Sequence, residues 1–469
     1  MKKTLILGAA ALAAAAWAPL ANAGEVKLGG YYQGRWQIYD NNFVKETAVQ
    51  SEGERYVQRI QLNMDMVASE KSHAHMVVRV LDSNTVEGAD LGNVSDIMGT
   101  ANPSMGAWNR VSPSTNNGSS ANFWEIRQAW LETEAWGVGI KFGNMPITLN
   151  DGILVGEDVS SFGGLLLSKT FGNVTVVAGD IRINEGTAMG TAANNTNFGA
   201  AQDDANLYAL SVFGKAGMAD YNATLAYADI GKVSSFQNAL NGACTTTNCY
   251  DSNNLWAALT LSGKLGYVNA VGTVIYESGY DLKNNTTGAK LSNQLTSSGA
   301  LAALRLNGNT GFGEWNAYGF MASKNFDNIT NDNMVWSTTW DQKGVGGIKL
   351  LNIFAASAGG GSLTSPGGGN TNWTSASENM SGIGAGLKIK SAGWTINPMI
   401  DYAQVTKTMS GDNFKSAVGG SLLLSTQIQK DTTLSLESGI ASPTKANGAP
   451  AAVTSDTAYY AQAGLKMTF

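Results

Sequence analysis

From Val26 onward, apolar and polar residues trade places at every second position. Val26, Leu28, Tyr32, Trp36 and Ile38 fall on one side of an extended segment, with Lys27, Tyr31, Gln33, Arg35 and Gln37 on the other. Ile60, Leu62, Met64 and Met66 repeat the pattern against Arg59, Gln61, Asn63 and Asp65. After a turn centred on Glu70, Ala74, Met76, Val78 and Val80 oppose His73, His75, Val77 and Arg79. A period of two is that of a β-strand, whose successive side chains point to opposite faces. The pattern returns in Ile383, Ala385, Leu387 and Ile389, in Trp394, Ile396, Ile400 and Tyr402, and in Tyr459, Ala461, Ala463, Leu465, Met467 and Phe469. Pro398 removes a ladder donor from one such segment and predicts a bulge or local kink there.

Very short turns and long polar stretches alternate between these segments. The short ones fall near Ala135-Trp136, Thr170–Gly172, Lys215–Gly217, Gly263-Lys264, Gly308–Gly311, Ser391–Gly393 and Gln429–Asp431. The long ones cover residues 83–122, 185–203, 230–252, 279–296, 325–380 and 441–456. Counting a strand on each side of every connection gives eighteen, with sixteen as the alternative. Residues 162–169 are short for a strand, and 344–380 leave room for a further hairpin. A strand of ~10 residues at ~3.3 Å each, tilted near 45°, rises roughly 23 Å, which matches the ~25 Å apolar band of membrane barrels. The predicted fold is all-β: one transmembrane antiparallel up-and-down β-barrel over residues 24–469, with an apolar face to lipid and a polar face to a lumen. Closure pairs every strand edge, and about 16–18 strands enclose an aqueous channel.

Residues 1–23 read as a secretory leader: Lys2 and Lys3, an apolar run from Leu5 to Ala16, and the small-residue site Ala21-Asn22-Ala23. Pro19 and the shortness of the run argue against a spanning anchor, which needs ~20 apolar residues. Loss of the leader takes the basic count from 30 to 28 against 36 acids, a net charge of −8 that gives no reason to expect nucleic acid. Glycine is abundant at 56 and proline scarce at 8, and no long apolar run follows the leader, which excludes a helical membrane protein. Cys244 and Cys249 are separated by four residues in a polar stretch of an exported chain, where a disulfide is the natural reading; zinc would want four ligands.

Arg35, Arg59, Arg79, Arg127 and Lys141 fall on five consecutive strands, each on the lumen face. With neighbouring strands ~4.8 Å apart, they can form a basic column on one wall, and arginine facing hydrocarbon would be penalised. Trp36, Trp130, Trp315 and Tyr402 near strand ends suit an interfacial girdle. No Gly-x-Ser-x-Gly, His-Glu-x-x-His or phosphate loop occurs, so enzymatic signatures of those kinds are absent. His73 and His75, the only histidines, read as lumen-facing polar residues, and no metal or other cofactor is expected.

An alternating last strand that ends on an aromatic residue, here Phe469, resembles the barrels assembled into the bacterial outer membrane. The resemblance implies outer-membrane lipid and a barrel-assembly machinery as partners, with short periplasmic turns and long external loops. The stretch from Leu149-Asn150-Asp151-Gly152 through Gly156-Glu157-Asp158 to Ser161-Phe162-Gly163-Gly164 resembles the third external loop of general diffusion porins, which folds into the barrel. That likeness implies that Asp151, Glu157 and Asp158 face Arg35, Arg59, Arg79 and Arg127 across a constriction. It also implies a homotrimer and passive diffusion of small hydrophilic solutes and ions. Two alternatives stand beside it. One is a substrate-specific channel, in which Tyr31 and Tyr39 stack on sugars. The other is a barrel sleeve around a periplasmic electron carrier, although no Cys-x-x-Cys-His haem motif is present.

Overall fold

The computed structural model describes residues 24–40, 52–80, 124–184, 205–230, 250–278, 283–284, 298–323, 326, 380–405, 414–445, 447 and 455–469. The leader, both cysteines and most long connections lie outside them. Eighteen strands run β1 Val26–Asp40, β2 Glu52–Ser69, β3 Ser72–Val80, β4 Trp124–Ala135, β5 Val138–Leu149 and β6 Val155–Phe171. They continue as β7 Val174–Asn184, β8 Ala205–Ala216, β9 Ala219–Ile230, β10 Tyr250–Leu265, β11 Val268–Glu277 and β12 Gly299–Thr310. The last six are β13 Gly313–Ala322, β14 Met380–Ser391, β15 Trp394–Val405, β16 Phe414–Gln429, β17 Thr432–Lys445 and β18 Ala458–Thr468. A two-residue extended piece, Lys283–Asn284, pairs with the start of β10 outside the ring. Each strand pairs antiparallel with the next, and β18 returns to β1 from Tyr31↔Thr468 to Asp40↔Tyr459, so the sheet closes as a barrel of eighteen strands.

The terminal residue completes the seam. Phe469 and Gly30 exchange two backbone hydrogen bonds, each 3.0 Å, and the Phe469 ring lies against Gly30. These satisfy backbone groups that a strand ending at Thr468 would leave open at an edge.

Alternation assigns the two faces. Leu28, Trp36, Leu210, Leu259, Leu304, Ile383, Ile400 and Ile440 are exposed on the outside, whereas Tyr31, Gln33, Thr224, Thr273, Asn316 and Glu437 are buried on the inside. Exposed leucine and isoleucine in such numbers suit hydrocarbon rather than water as the outer solvent. Trp36 and Tyr402 point outward as expected of a girdle, but Trp130 does not. Its ring stacks on His75 at 4.5 Å between centroids, inside the barrel, because β3–β4 pairing sets it directly opposite that histidine.

Two expected connections shift. The turn predicted at Gly263-Lys264 sits at Gly266-Tyr267, since β10 continues to Leu265, and the one near Gly308–Gly311 sits at Gly311-Phe312. At Pro398 the register is the same on both sides, with Gly386↔Met399 and Ile389↔Ile396, and the β14–β15 ladder is simply interrupted there. The anticipated bulge is not made; a lost donor costs a ladder bond without displacing the strand.

Candidate functional site

One hairpin leaves the wall. β5 pairs with β4 only as far as Asn144↔Ala129, and β6 pairs with β7 only from Gly163↔Arg182 onward. Between those points residues 145–162 pair with each other alone, from Met145↔Phe162 to Leu149↔Val155, with an irregular register beside Pro146. The departure point is Gly143, at φ 124°, where a Cβ would lie 2.5 Å from the Ala129 carbonyl oxygen. Only glycine turns the chain there while keeping the strand against β4. Sequence reading placed a loop over residues 149–164; the actual connection is residues 150–154, and the rest of the span is strand.

The arm is folded into the lumen, and its composition explains why. Met145, Ile147, Leu149, Ile153, Leu154 and Val155 are all buried, and they pack with Ile181, Leu207, Ala226, Trp256, Ile275, Leu301 and Phe326. Those partners lie on the inward faces of β7 to β12 or, for Phe326, just beyond β13. The apolar core of this protein is therefore inside the barrel and one-sided. Burying an aliphatic side chain stabilises by about 1.5–3 kcal/mol, so six of them outweigh any polar contact the arm makes.

The tip is placed by polar contacts. Asn150 and Asp151 both have positive φ, 53° and 59°, and Gly152 N–H donates to the Leu149 carbonyl at 3.2 Å, a tight turn of the kind Asn and Asp tolerate. Fully buried, Asn150 donates from Nδ2 to the Asn222 carbonyl at 3.2 Å and to Thr260 Oγ1 at 3.3 Å. Thr260 continues to Thr273 at 2.9 Å, and on the neighbouring strands Ser211 meets Thr224 at 2.9 Å, a short hydroxyl ladder on the far wall. Asp151 takes both its carboxylate contacts from Arg305 Nη2 on β12, at 2.6 and 2.8 Å. At about a third exposed, this pair contributes at most ~1 kcal/mol, and it fixes where the tip rests rather than whether the arm docks.

Opposite the arm the lumen wall is polar. Tyr31 donates to Gln61 Oε1 at 3.3 Å, Gln61 donates to Asn63 at 3.0 Å, and Lys466 Nζ stands 4.1 Å above the Tyr31 ring. Gln462 donates to Glu437, His75 Nδ1 meets the Asp65 carboxylate, and Lys141 pairs with Glu132 at 3.0 Å. Several charges on this wall thus sit beside a partner of their own, which shortens the reach of their fields.

Among the residues proposed from sequence, Asp151 is at the arm tip and Lys141 on the inward face of β5. By register Arg35 is opposite Val57 and Gly464, Arg59 opposite Gln33, and Arg79 opposite Gln61 and Glu125. Arg127 falls in the β3–β4 register shift between Val77 and Val78. The side chains of these four arginines, and of Glu157 and Asp158, lie outside the described residues, as does the Cys244–Cys249 segment. The partner of Asp151 is Arg305, which the sequence reading had not singled out. Its signal was available: an arginine on the inward parity of the strand, between Ala303 and Asn307.

No protein-family model and no curated protein matches the sequence. Solved structures match the fold along nearly the whole chain. OccK9 (OpdG) of Pseudomonas aeruginosa aligns with a TM-score of 0.53 at 11% identity over 94% of this chain and 98% of its own. OccK11 (OpdR) of the same organism aligns at 0.52 and 8% identity over 96% and 99%. OccAB4 of Acinetobacter baumannii aligns at 0.52 and 11% identity over 96% and 99%. These are barrels of the Gram-negative outer membrane, and at such low identity the likeness concerns the fold.

Proposed function

We propose that this protein is an outer-membrane porin, a water-filled channel through which small hydrophilic solutes and ions diffuse passively. The observation that carries the reading is the arm of residues 145–162: it fills the apolar half of an eighteen-stranded lumen and leaves a polar wall facing it. A barrel of that size without an inserted segment has a wide bore, and inserting one converts it into a sieve. The sleeve alternative is disfavoured by the same arm, which takes the space a folded electron carrier would need. In this reading Arg35, Arg59, Arg79, Arg127 and Lys141 form a basic wall, and Asp151, Glu157 and Asp158 are the acids of the arm. Screening over ~8 Å at physiological salt confines their influence to the narrowest zone. The Cys244–Cys249 disulfide stiffens one external connection, and the assembly is a homotrimer.

The test is reconstitution of the full mature chain in planar bilayers. Stepwise, ohmic conductance is expected, and replacing Arg59 and Arg79 by glutamine moves the reversal potential toward cation preference. Absence of conductance steps overturns the channel; steps whose reversal potential ignores both replacements overturn the basic wall.

A further inference from the structure

One stretch of the lumen wall is floored by glycines, over which the side chains of Asn316, Tyr318 and Phe320 lie. β14 turns Gly382, Gly384 and Gly386 inward, and β16 turns Ala417, Gly419 and Ser421 inward. Between them, on β15, Asp401 has Gly384 as its register partner on one side and Gly419 on the other. From β13, Asn316 and Tyr318 lean across this gap. A Cβ on Gly384 would lie 2.2 Å from the Tyr318 hydroxyl, and one on Gly386 would lie 2.8 Å from Asn316 Oδ1. The tyrosine hydroxyl therefore stands over the strand that separates it from Asp401. Asn397, four residues before Asp401 on the same face, closes the lower end.

These side chains are nine-tenths or more buried: Asn316 at 6%, Asn397 at 8% and Asp401 at 6% exposure. Asn316 Oδ1 and Nδ2, Asn397 Oδ1 and Asp401 Oδ1 have no hydrogen-bond partner among the described residues. Other buried lumen atoms, Asn150 Oδ1 and Arg305 Nε, also lack a partner there, but the charged side chains of Arg305–Asp151, Lys141–Glu132, Lys388–Glu314 and His75–Asp65 are each paired, whereas among the described residues Asp401 is in no such pair. Buried acceptors without donors, and a buried carboxylate without a counter-charge, are destabilising wherever they occur. A wall that keeps three such oxygens and one amide donor beside glycines covered only by movable side chains, Tyr318 over Gly384 among them, is built to receive a group that brings donors and positive charge. An anion meets the Asp401 carboxylate there, and a neutral polyol leaves that carboxylate uncompensated.

We propose that this recess is a binding subsite for solutes carrying an organic ammonium group. Asp401 is its counter-charge, and Asn316 and Asn397 are further polar groups along the same wall. Access requires Tyr318 to swing off Gly384, a side-chain rotation with no change of backbone. The inference rests on the channel reading, because it names a class of solute that the lumen retains on its way through.

The test uses the full mature chain, solubilised in detergent, with 1,4-diaminobutane as the probe and 1,4-butanediol as its uncharged counterpart. Titration calorimetry is expected to show the diamine binding at least about tenfold more tightly than the diol, the margin of a charge-assisted hydrogen bond over a neutral one. Asp401→Asn should remove that margin, and its circular dichroism should match the parent barrel. Asn316→Ala should weaken both probes. Equal affinity for diol and diamine, retention of the diamine affinity in Asp401→Asn, or no binding of either probe overturns the proposal. Conductance is read separately: binding that depends on Asp401 in a barrel without conductance steps defeats the porin reading and leaves the subsite. Conductance steps without such binding do the reverse.

Discussion

Leu154→Ala separates the docking of the arm from the stability of the barrel. Leu154 is fully buried in the one-sided core, and it belongs to a hairpin that has no ladder bonds to the wall between Met145 and Phe162. Truncating a fully buried leucine costs about 2–5 kcal/mol through lost transfer energy and the cavity left behind. When the arm leaves the far wall and vacates the lumen the same side chain meets water, so the whole penalty falls on the docked state. Each 1.4 kcal/mol is a factor of ten, so the undocked fraction rises roughly 30-fold to several-thousand-fold. By comparison, breaking Asp151–Arg305 removes at most ~1 kcal/mol, about a fivefold change.

Single-channel recording in planar bilayers at fixed salt reads this directly. The parent barrel should hold one main level, with Leu154→Ala adding frequent excursions to a higher one as the arm vacates the lumen. Leu28→Ala, on the outer face where the side chain is 69% exposed, should leave the record unchanged. The reasoning is refuted if Leu154→Ala lowers the unfolding temperature of the barrel but its current shows the parental level without excursions. In that case the arm and the wall form one cooperative unit, and the missing ladder bonds have no dynamic consequence.

Asp151→Asn and Arg305→Gln should each alter the main conductance level by a similar amount, and the double variant should add little, because the two residues act through one contact; additive changes would show they act independently. Deleting Phe469 removes the two backbone hydrogen bonds to Gly30 and should reduce the yield of heat-resistant barrel on refolding, as followed by gel mobility. Gly143→Val places a branched side chain at φ 124° with its Cβ 2.5 Å from the Ala129 carbonyl oxygen, and should destabilise the barrel by more than ~1 kcal/mol in denaturant titration.

Much of this architecture was legible because a barrel obeys one rule at a time. Alternation in Val26–Ile38 assigned the faces of β1 correctly, and eighteen strands emerged from counting turns, since each short turn is flanked by glycine or polar residues that break the period. Errors arose where a strand runs on through an apparent turn signal. Gly263-Lys264 looks like a reversal, yet both residues pair with β11, and Gly263 with β9 as well, before the chain turns at Gly266. Trp130 was misread because its parity depends on the register shift at Arg127, and nothing local to the sequence displays a shift that exists only relative to β3.

The arm shows the same limit from the other side. Asn150-Asp151-Gly152 announces a tight turn, and the acids nearby suggest an in-folded segment, but the direction in which the tip travels depends on apolar residues scattered over seven strands. Ile181, Leu207, Trp256, Ile275 and Leu301 each sit on an inward position where a porin wall is expected to be polar. Read strand by strand they are lapses in the pattern; read together they are a docking surface matched to Met145, Ile147 and Leu154. The position of Arg305 follows from that surface, since the arm must reach β12 before Asp151 can find it. The docking of the arm in this barrel is thus specified first by hydrophobic mismatch on the far wall and only then by charge, which is why a search for charged residues alone found Asp151 and missed its partner.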